Sequence, residues 1–217
     1  AEYQAGMNIV FDFGAVLFEW QPAKLVRQHF PDHAPDDAAA HALAADIFRH
    51  KDWHAFDQGL LEPDEIMART VARLALPQAG VFELVDHIGE RLTPIPASLS
   101  VLERLRDLRD AQAHVNGVPV QLYYLSNMPS PYARVLEQRH PFLKWFADGI
   151  YSGDVKLIKP DPAIFALLAQ RHGLVPANTV FIDDLAANVE AARALGWAAI
   201  HFVSSEQMAR ELVVLGL

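Results

Sequence analysis

Three apolar runs in this sequence each stop at a group able to do chemistry. Met7–Phe13 carries Asp12, with Gly14 just beyond it. Val118–Ser126 stops at Ser126-Asn127, and Thr179–Ile182 runs into Asp183-Asp184. Short β-branched runs of this kind read as buried strands. In open parallel sheets, ligands bind outside the carboxyl ends of the strands. One sheet edge would then hold three carboxylates and a hydroxyl. Like charges so close raise one another's pKa unless a cation compensates. An all-oxygen set with few protein groups suits Mg2+, which keeps several waters and also binds phosphate oxygens. Lys159, in Lys156-Leu-Ile-Lys159-Pro160-Asp161-Pro162, precedes a helical stretch. Its ammonium can neutralise a phosphate and hold a nucleophilic carboxylate in place.

The elements that must position these groups alternate. Weaker strand patterns lie at Asp148–Ser152 and Ala198–Phe202. Helical patterns cover Ser98–Asp110, Pro131–Arg139 after a capping Ser130, Pro162–His172 after Asp161 and before Gly173, and Ala186–Leu195 before Gly196. From about Ile95 onward the order is that of an α/β fold, a Rossmann-like parallel sheet with crossover helices. Residues 20–93 break the alternation. They read as wholly helical, over Pro22–Phe30, Asp36–His50, Pro63–Leu76 and Val81–Arg91. The expected organisation is an α/β core of residues 7–19 and 94–217 with an inserted all-helical cap at 20–93. Residues 1–6 precede Met7 and stay outside this argument.

Composition narrows the function. Apolar residues make up 52% of 217, a globular balance. No apolar run approaches the roughly 20 residues of a membrane helix. With 18 basic against 27 acidic residues the net charge is −9, which argues against a nucleic-acid partner. Cysteine is absent, so thiolate chemistry and cysteine–zinc sites are excluded. A cytoplasmic location is the default expectation. No glycine-rich nucleotide loop and no Gly-x-Ser-x-Gly elbow is present. His50 and His54 are four apart but lack the glutamate pattern of a zinc protease. Trp53, His54 and Phe56 read as cap core rather than as pocket lining.

The motifs together resemble those of the haloacid dehalogenase superfamily. They are Ile9-Val-Phe-Asp12-Phe-Gly-Ala-Val-Leu17, Leu125-Ser126-Asn127, Lys159-Pro160-Asp161 and Phe181-Ile-Asp183-Asp184 with Asn188 following, in the family's order. The resemblance implies a phosphatase. Asp12 is then the nucleophile that forms an aspartyl-phosphate. Ser126 and the Asn127 amide bind phosphoryl oxygens, and Lys159 stabilises the charge of nucleophile and phosphate. It further implies Mg2+ held by Asp12, the Gly14 carbonyl and Asp184, with Asp183 outer or shared. The partner would be a small phosphorylated metabolite. Trp20 falls near the pocket mouth as a substrate contact.

One departure shapes the expectation. Such phosphatases usually carry an aspartate two residues after the nucleophile, to protonate the leaving group, and here that residue is Gly14. General acid catalysis typically contributes about 10²–10⁴-fold. A sugar 1-phosphate, with its better leaving group, would suffer less. The Asp-x-Gly pattern and the run Phe56–Glu65 are similar to the α-glucose-1-phosphate phosphatase subgroup. Two rivals remain from the sequence. A 2-haloacid dehalogenase would also use Asp12 but needs no metal, and a non-catalytic phosphate-binding scaffold would tolerate Gly14. Oligomeric state is not encoded in any of these features.

Overall fold

A computed structural model describes residues 7–115 and 117–217. The sheet contains β1 (Met7–Phe11), β2 (His114–Val115), β3 (Val118–Ser126), β4 (Asp148–Tyr151), β5 (Thr179–Asp183) and β6 (Ala198–His201). Strand β1 pairs in parallel with β3 on one side and β5 on the other. Beyond them β4 pairs in parallel with β3, and β6 with β5. The short β2 forms an antiparallel hairpin with the start of β3. The chain leaves β1 toward β3 and β4, then crosses back to β5, so the strand order reverses around β1. Such a reversal opens a crevice at the carboxyl ends of the strands.

Period-2 alternation explains the layers. Ile9 and Phe11 of β1, Val120 and Leu122 of β3, and Val180 and Ile182 of β5 enter one core. They meet Leu102 and Leu105 of helix α7 (Pro96–Asp110) and Met208 and Leu212 of α12 (Ser205–Val214). Val10, Leu125, Ile150 and Phe181 point the other way. They pack on Ile164, Phe165 and Leu168 of α10 (Pro162–His172) and Ala192 of α11 (Ala186–Ala194). Every residue of β1 and β5 is buried, as a strand covered on both faces requires.

Between β1 and α7 the regular structure is helical: α1 (Pro22–His29), α2 (Asp37–Phe48), α3 (Lys51–Asp57), α4 (Pro63–Leu74), α5 (Gln78–Asp86) and α6 (Ile88–Arg91). The insert leaves and re-enters the core at one place. Glu19 N–H donates to the Thr93 carbonyl at 2.8 Å, and Ile95 N–H to that of Leu17 at 2.8 Å. On the other side of this stretch, α6 packs on α8 (Ser130–Arg139) and α3 on α9 (Ser152–Val155). Among the described residues no helix is long and apolar enough to cross a membrane.

Several sequence expectations shift. Strand β1 stops at Phe11, because the Phe13 carbonyl accepts from the N–H groups of Val16, Leu17 and Phe18 and curls the chain into a tight turn. Ser130 is the first helical residue of α8 rather than its cap, and its hydroxyl donates to Asp154 at 2.6 Å. The helix expected to run to His50 ends at Phe48, and His50 caps α3 by accepting from Asp52 N–H at 3.0 Å. The pattern expected over 81–91 starts at Gln78 and breaks at His87. Helices α3, α9 and α12 and strand β2 were not anticipated.

Gly59 couples the insert to the core. Its φ is +76°, and a Cβ there would lie 2.5 Å from the Gly153 carbonyl oxygen. Gly59→Ala therefore meets both backbone strain and a backbone clash. We expect a loss of roughly 2–4 kcal/mol in urea unfolding, at the upper end of overpacking costs. Unchanged stability would show that the insert is not seated on Gly153.

Candidate active site

The site forms where the turn after β1, the ends of β3 and β5, and the loop before α10 converge. Lys159 is 4% exposed, and its Nζ donates to Asp12 Oδ1 at 3.0 Å, to Asp183 Oδ2 at 2.7 Å and to the Leu125 carbonyl at 2.8 Å. One ammonium thus ties together the ends of three strands. A buried lysine with three acceptors is fully used. Burial alone would lower its pKa, but the carboxylates of Asp12 and Asp183 outweigh that and leave it raised.

Asn127 places this lysine. Its side-chain Nδ2 donates to the Lys159 carbonyl at 3.0 Å, and its Oδ1 accepts from Lys159 N–H at 2.8 Å. Both ends of the amide are spent on one residue's backbone. That leaves one side-chain N–H of Asn127 and its backbone N–H as donors to a ligand. Ser126 is the last residue of β3 and is 1% exposed. The β1–β3 register pairs Phe11 with Tyr124, which puts Ser126 at the level of the turn holding Asp12.

The carboxylates are unequal. Ligand oxygens of Asp12, Asp183 and Asp184 lie within 4.8 Å of one another. Asp183 is fully buried and committed: Oδ1 accepts from Leu185 N–H at 2.9 Å, and Oδ2 from Lys159 and from Asn188 Nδ2 at 3.1 Å. Asp184 is half-buried beside Asp12. Asp12 Oδ1 accepts from Phe13 N–H at 2.8 Å as well as from Lys159. Burial, then the Asp183 charge, hold the Asp12 carboxyl well above its usual range against the pull of Lys159. Burial and Asp183 also raise Asp184. Three carboxylates against one ammonium leave an excess of negative charge in an all-oxygen donor set. That combination fits a magnesium ion.

Gly14 sits in the turn and faces Trp20; a Cβ on it would lie 3.8 Å from that of Trp20, an ordinary contact. Glycine is therefore not demanded by space at this position. The Trp20 ring meets Phe48 edge-on at 5.0 Å, and the aromatic chain continues through Trp53 and Phe56 to Tyr132 of α8. Trp53 and Phe56 are buried, in the same hydrophobic cluster as Phe11 and Phe13. His54 is exposed, and His50 is used as a cap, so neither joins a metal cluster among the described residues.

Comparison with known proteins agrees with this geometry. The sequence profile of the haloacid dehalogenase-like hydrolases matches residues 6–196. The chain belongs to that family. It is 26% identical over 205 residues to a sesquiterpene phosphatase of Aspergillus oryzae, covering 94% of this chain and 93% of the relative. Several other curated relatives are much longer or match locally, and the matched part spans 19–35% of their length. A haloacid dehalogenase-family enzyme of Bacteroides thetaiotaomicron, solved with magnesium and inorganic phosphate, superposes with a TM-score of 0.66. The two are 20% identical, over 90% of this chain and 93% of that one. An L-2-haloacid dehalogenase of Xanthobacter autotrophicus gives 0.64 at 22% identity, over 96% and 82%. At such identities the two structures speak for the fold alone.

Sequence reasoning gathered Asp12, Ser126, Asn127, Lys159, Asp183 and Asp184, and all six lie at this edge. It missed Ser152, whose hydroxyl donates to the Asp57 carbonyl at 2.5 Å and accepts from Met128 N–H at 2.8 Å. A lone serine ending the weak strand pattern Asp148–Ser152 carries no functional signal in the sequence. It also passed over Asp57, although an acid directly after a buried Phe56 was visible.

Proposed function

We propose that this hydrolase is a magnesium-dependent phosphomonoesterase acting on a small phosphorylated metabolite through an aspartyl-phosphate on Asp12. The observation that carries the reading is Lys159 bridging Asp12 and Asp183 at the sheet edge, with Asp184 alongside. Asp12 Oδ1 is held by two donors, which leaves Oδ2 to attack phosphorus. Lys159 keeps the nucleophile oriented and offsets charge on the phosphoryl oxygens. The Ser126 hydroxyl and the Asn127 backbone N–H bind those oxygens, and Trp20 borders the substrate. Asp12, the Gly14 carbonyl and Asp184 would hold magnesium directly. Asp183, its oxygens committed, would orient the others from behind. When bound, the ion supplies charge neutralisation for the transferring phosphoryl group. The helical insert acts as the cap over this edge.

A phosphatase among the full-length relatives supports phosphate over halide chemistry. Three carboxylates around one ammonium also exceed what a metal-free attack on carbon requires. Within the reading, Gly14 removes the acid from its usual place, and sugar 1-phosphates, whose leaving group is better, are the substrates to test first. The test is a panel of phosphorylated metabolites, including sugar 1-phosphates, assayed with magnesium and with a chelator. Phosphate release that depends on magnesium is expected. Halide release from 2-haloacids in the chelator would overturn the reading in favour of a dehalogenase. Magnesium and phosphate-analogue binding without turnover would leave only a scaffold.

A further inference from the structure

The geometry points to Asp57, at the end of α3 in the insert, as the acid that protonates the leaving group in place of the residue missing at Gly14. This rests on the phosphatase reading above. The end of α3 is fastened to the core at three points. Ser152 Oγ donates to the Asp57 carbonyl at 2.5 Å, Gln58 Nε2 donates to the Lys156 carbonyl at 2.9 Å, and Gly59 lies directly over the Gly153 carbonyl. Ser152 also accepts from Met128 N–H at 2.8 Å, in the loop that follows Ser126-Asn127. The end of α3 is therefore anchored beside the loops that follow β3 and β4, and the Asp57 carboxyl lies within electrostatic reach of the Lys159 ammonium at the sheet edge.

Its surroundings suit an acid. The side chain makes no hydrogen bond or ion pair with any described residue. Two ionisable groups face it across the interface: the Lys159 ammonium from the loop before α10, and the Tyr132 hydroxyl of α8. The Tyr132 hydroxyl donates to the Val85 carbonyl at 2.6 Å, so it is occupied elsewhere. Protein packed around the Asp57 carboxyl pushes its pKa well above the usual range, opposed only in part by Lys159. Asp57 thus holds its proton closer to neutral pH than an ordinary aspartate, as a general acid must. Once the proton leaves, the nearby ammonium favours the carboxylate that remains.

The chemistry balances without a further reactant. As Asp12 forms its bond to phosphorus, the ester P–O bond breaks and the departing oxygen takes the Asp57 proton. A water then attacks the aspartyl-phosphate, giving a proton back to the Asp57 carboxylate. The bond between phosphorus and Asp12 breaks, and inorganic phosphate leaves.

Leaving-group dependence is the test, read as kcat/KM, which reports the step that breaks the ester bond. Asp57→Asn should lose about 10²-fold or more on phenyl phosphate, yet little on p-nitrophenyl phosphate, whose leaving group needs no proton. Asp57→Glu should recover part of the loss. Gly14→Asp added to Asp57→Asn should also recover phenyl phosphate hydrolysis. The basic limb of the wild-type pH profile should disappear in Asp57→Asn. An equal loss on both esters, with or without lowered thermal stability, would make Asp57 a purely structural contact and overturn the proposal. No loss on either would overturn it too. Wild-type enzyme that with magnesium releases phosphate neither from these esters nor from any member of the metabolite panel would instead sink the phosphatase reading, and this inference with it.

Discussion

Replacing Asp12 by Asn should abolish phosphate release while leaving the fold intact. The amide keeps the shape of the carboxylate and can still accept from Lys159 and Phe13 N–H, so the local hydrogen bonds survive. The charged oxygen that attacks phosphorus is gone. Loss of a covalent nucleophile costs on the order of 10⁴-fold in kcat or more. Stability should move the other way. Burial and Asp183 hold the Asp12 carboxyl well above its usual range, so the folded state prefers it protonated more strongly than the unfolded chain does. At neutral pH its ionisation therefore weighs against folding, and a neutral amide removes that penalty. Without magnesium, the thermal midpoint of Asp12→Asn should equal or exceed that of the wild type. Retained turnover would show that another group attacks phosphorus.

Lys159→Met should damage both activity and stability. It removes the one donor shared by Asp12, Asp183 and the Leu125 carbonyl, all within the buried edge. Breaking a buried ion pair from one side costs about 3–5 kcal/mol, because the remaining charge is left uncompensated. Catalysis should fall by roughly 10²–10³-fold, the usual cost of losing a preorganised electrostatic contact. Urea unfolding and kcat measure the two effects. Adding Asp12→Asn should restore part of the stability and none of the activity. If the double variant is as unstable as the sum of the single ones, the two side chains are not coupled.

Much of this edge was legible because strand ends announce themselves. Buried parallel strands read as continuous apolar runs, and these ran into a single Asp12 or into the polar pairs Ser126-Asn127 and Asp183-Asp184. What stayed hidden was set by partners distant in sequence. The Asn127 side chain also holds the Lys159 backbone, a tie between residues 32 apart in sequence. Ser130 looked like a cap, but Asp154 claims its hydroxyl. Helix α3 is too short to show a clear period, and its start depends on the His50 ring. Helix α12 follows an edge strand, and its burial rests on contacts such as Ser205 Oγ with Ser98 Oγ at 2.7 Å. Asp57 matters only because α3 docks on Ser152 and Gly153, and neither contact is written in local spacing.

The paired linkers at Leu17–Glu19 and Thr93–Ile95 hold the two ends of the helical stretch side by side. Phe18 bridges Pro94 there, so the segment's two ends are held a strand's width apart by the core itself. The entropic cost of closing a loop grows only slowly with its length once its ends are fixed. Helices can therefore be lengthened, shortened or exchanged between these anchors while β1 and its turn stay put. On the proposed phosphatase reading, with these helices as its cap, substrate preference can drift in them while the edge around Asp12 stays put. The exception is the patch around Asp57 and Gly59, where a newcomer would have to bring its own proton donor.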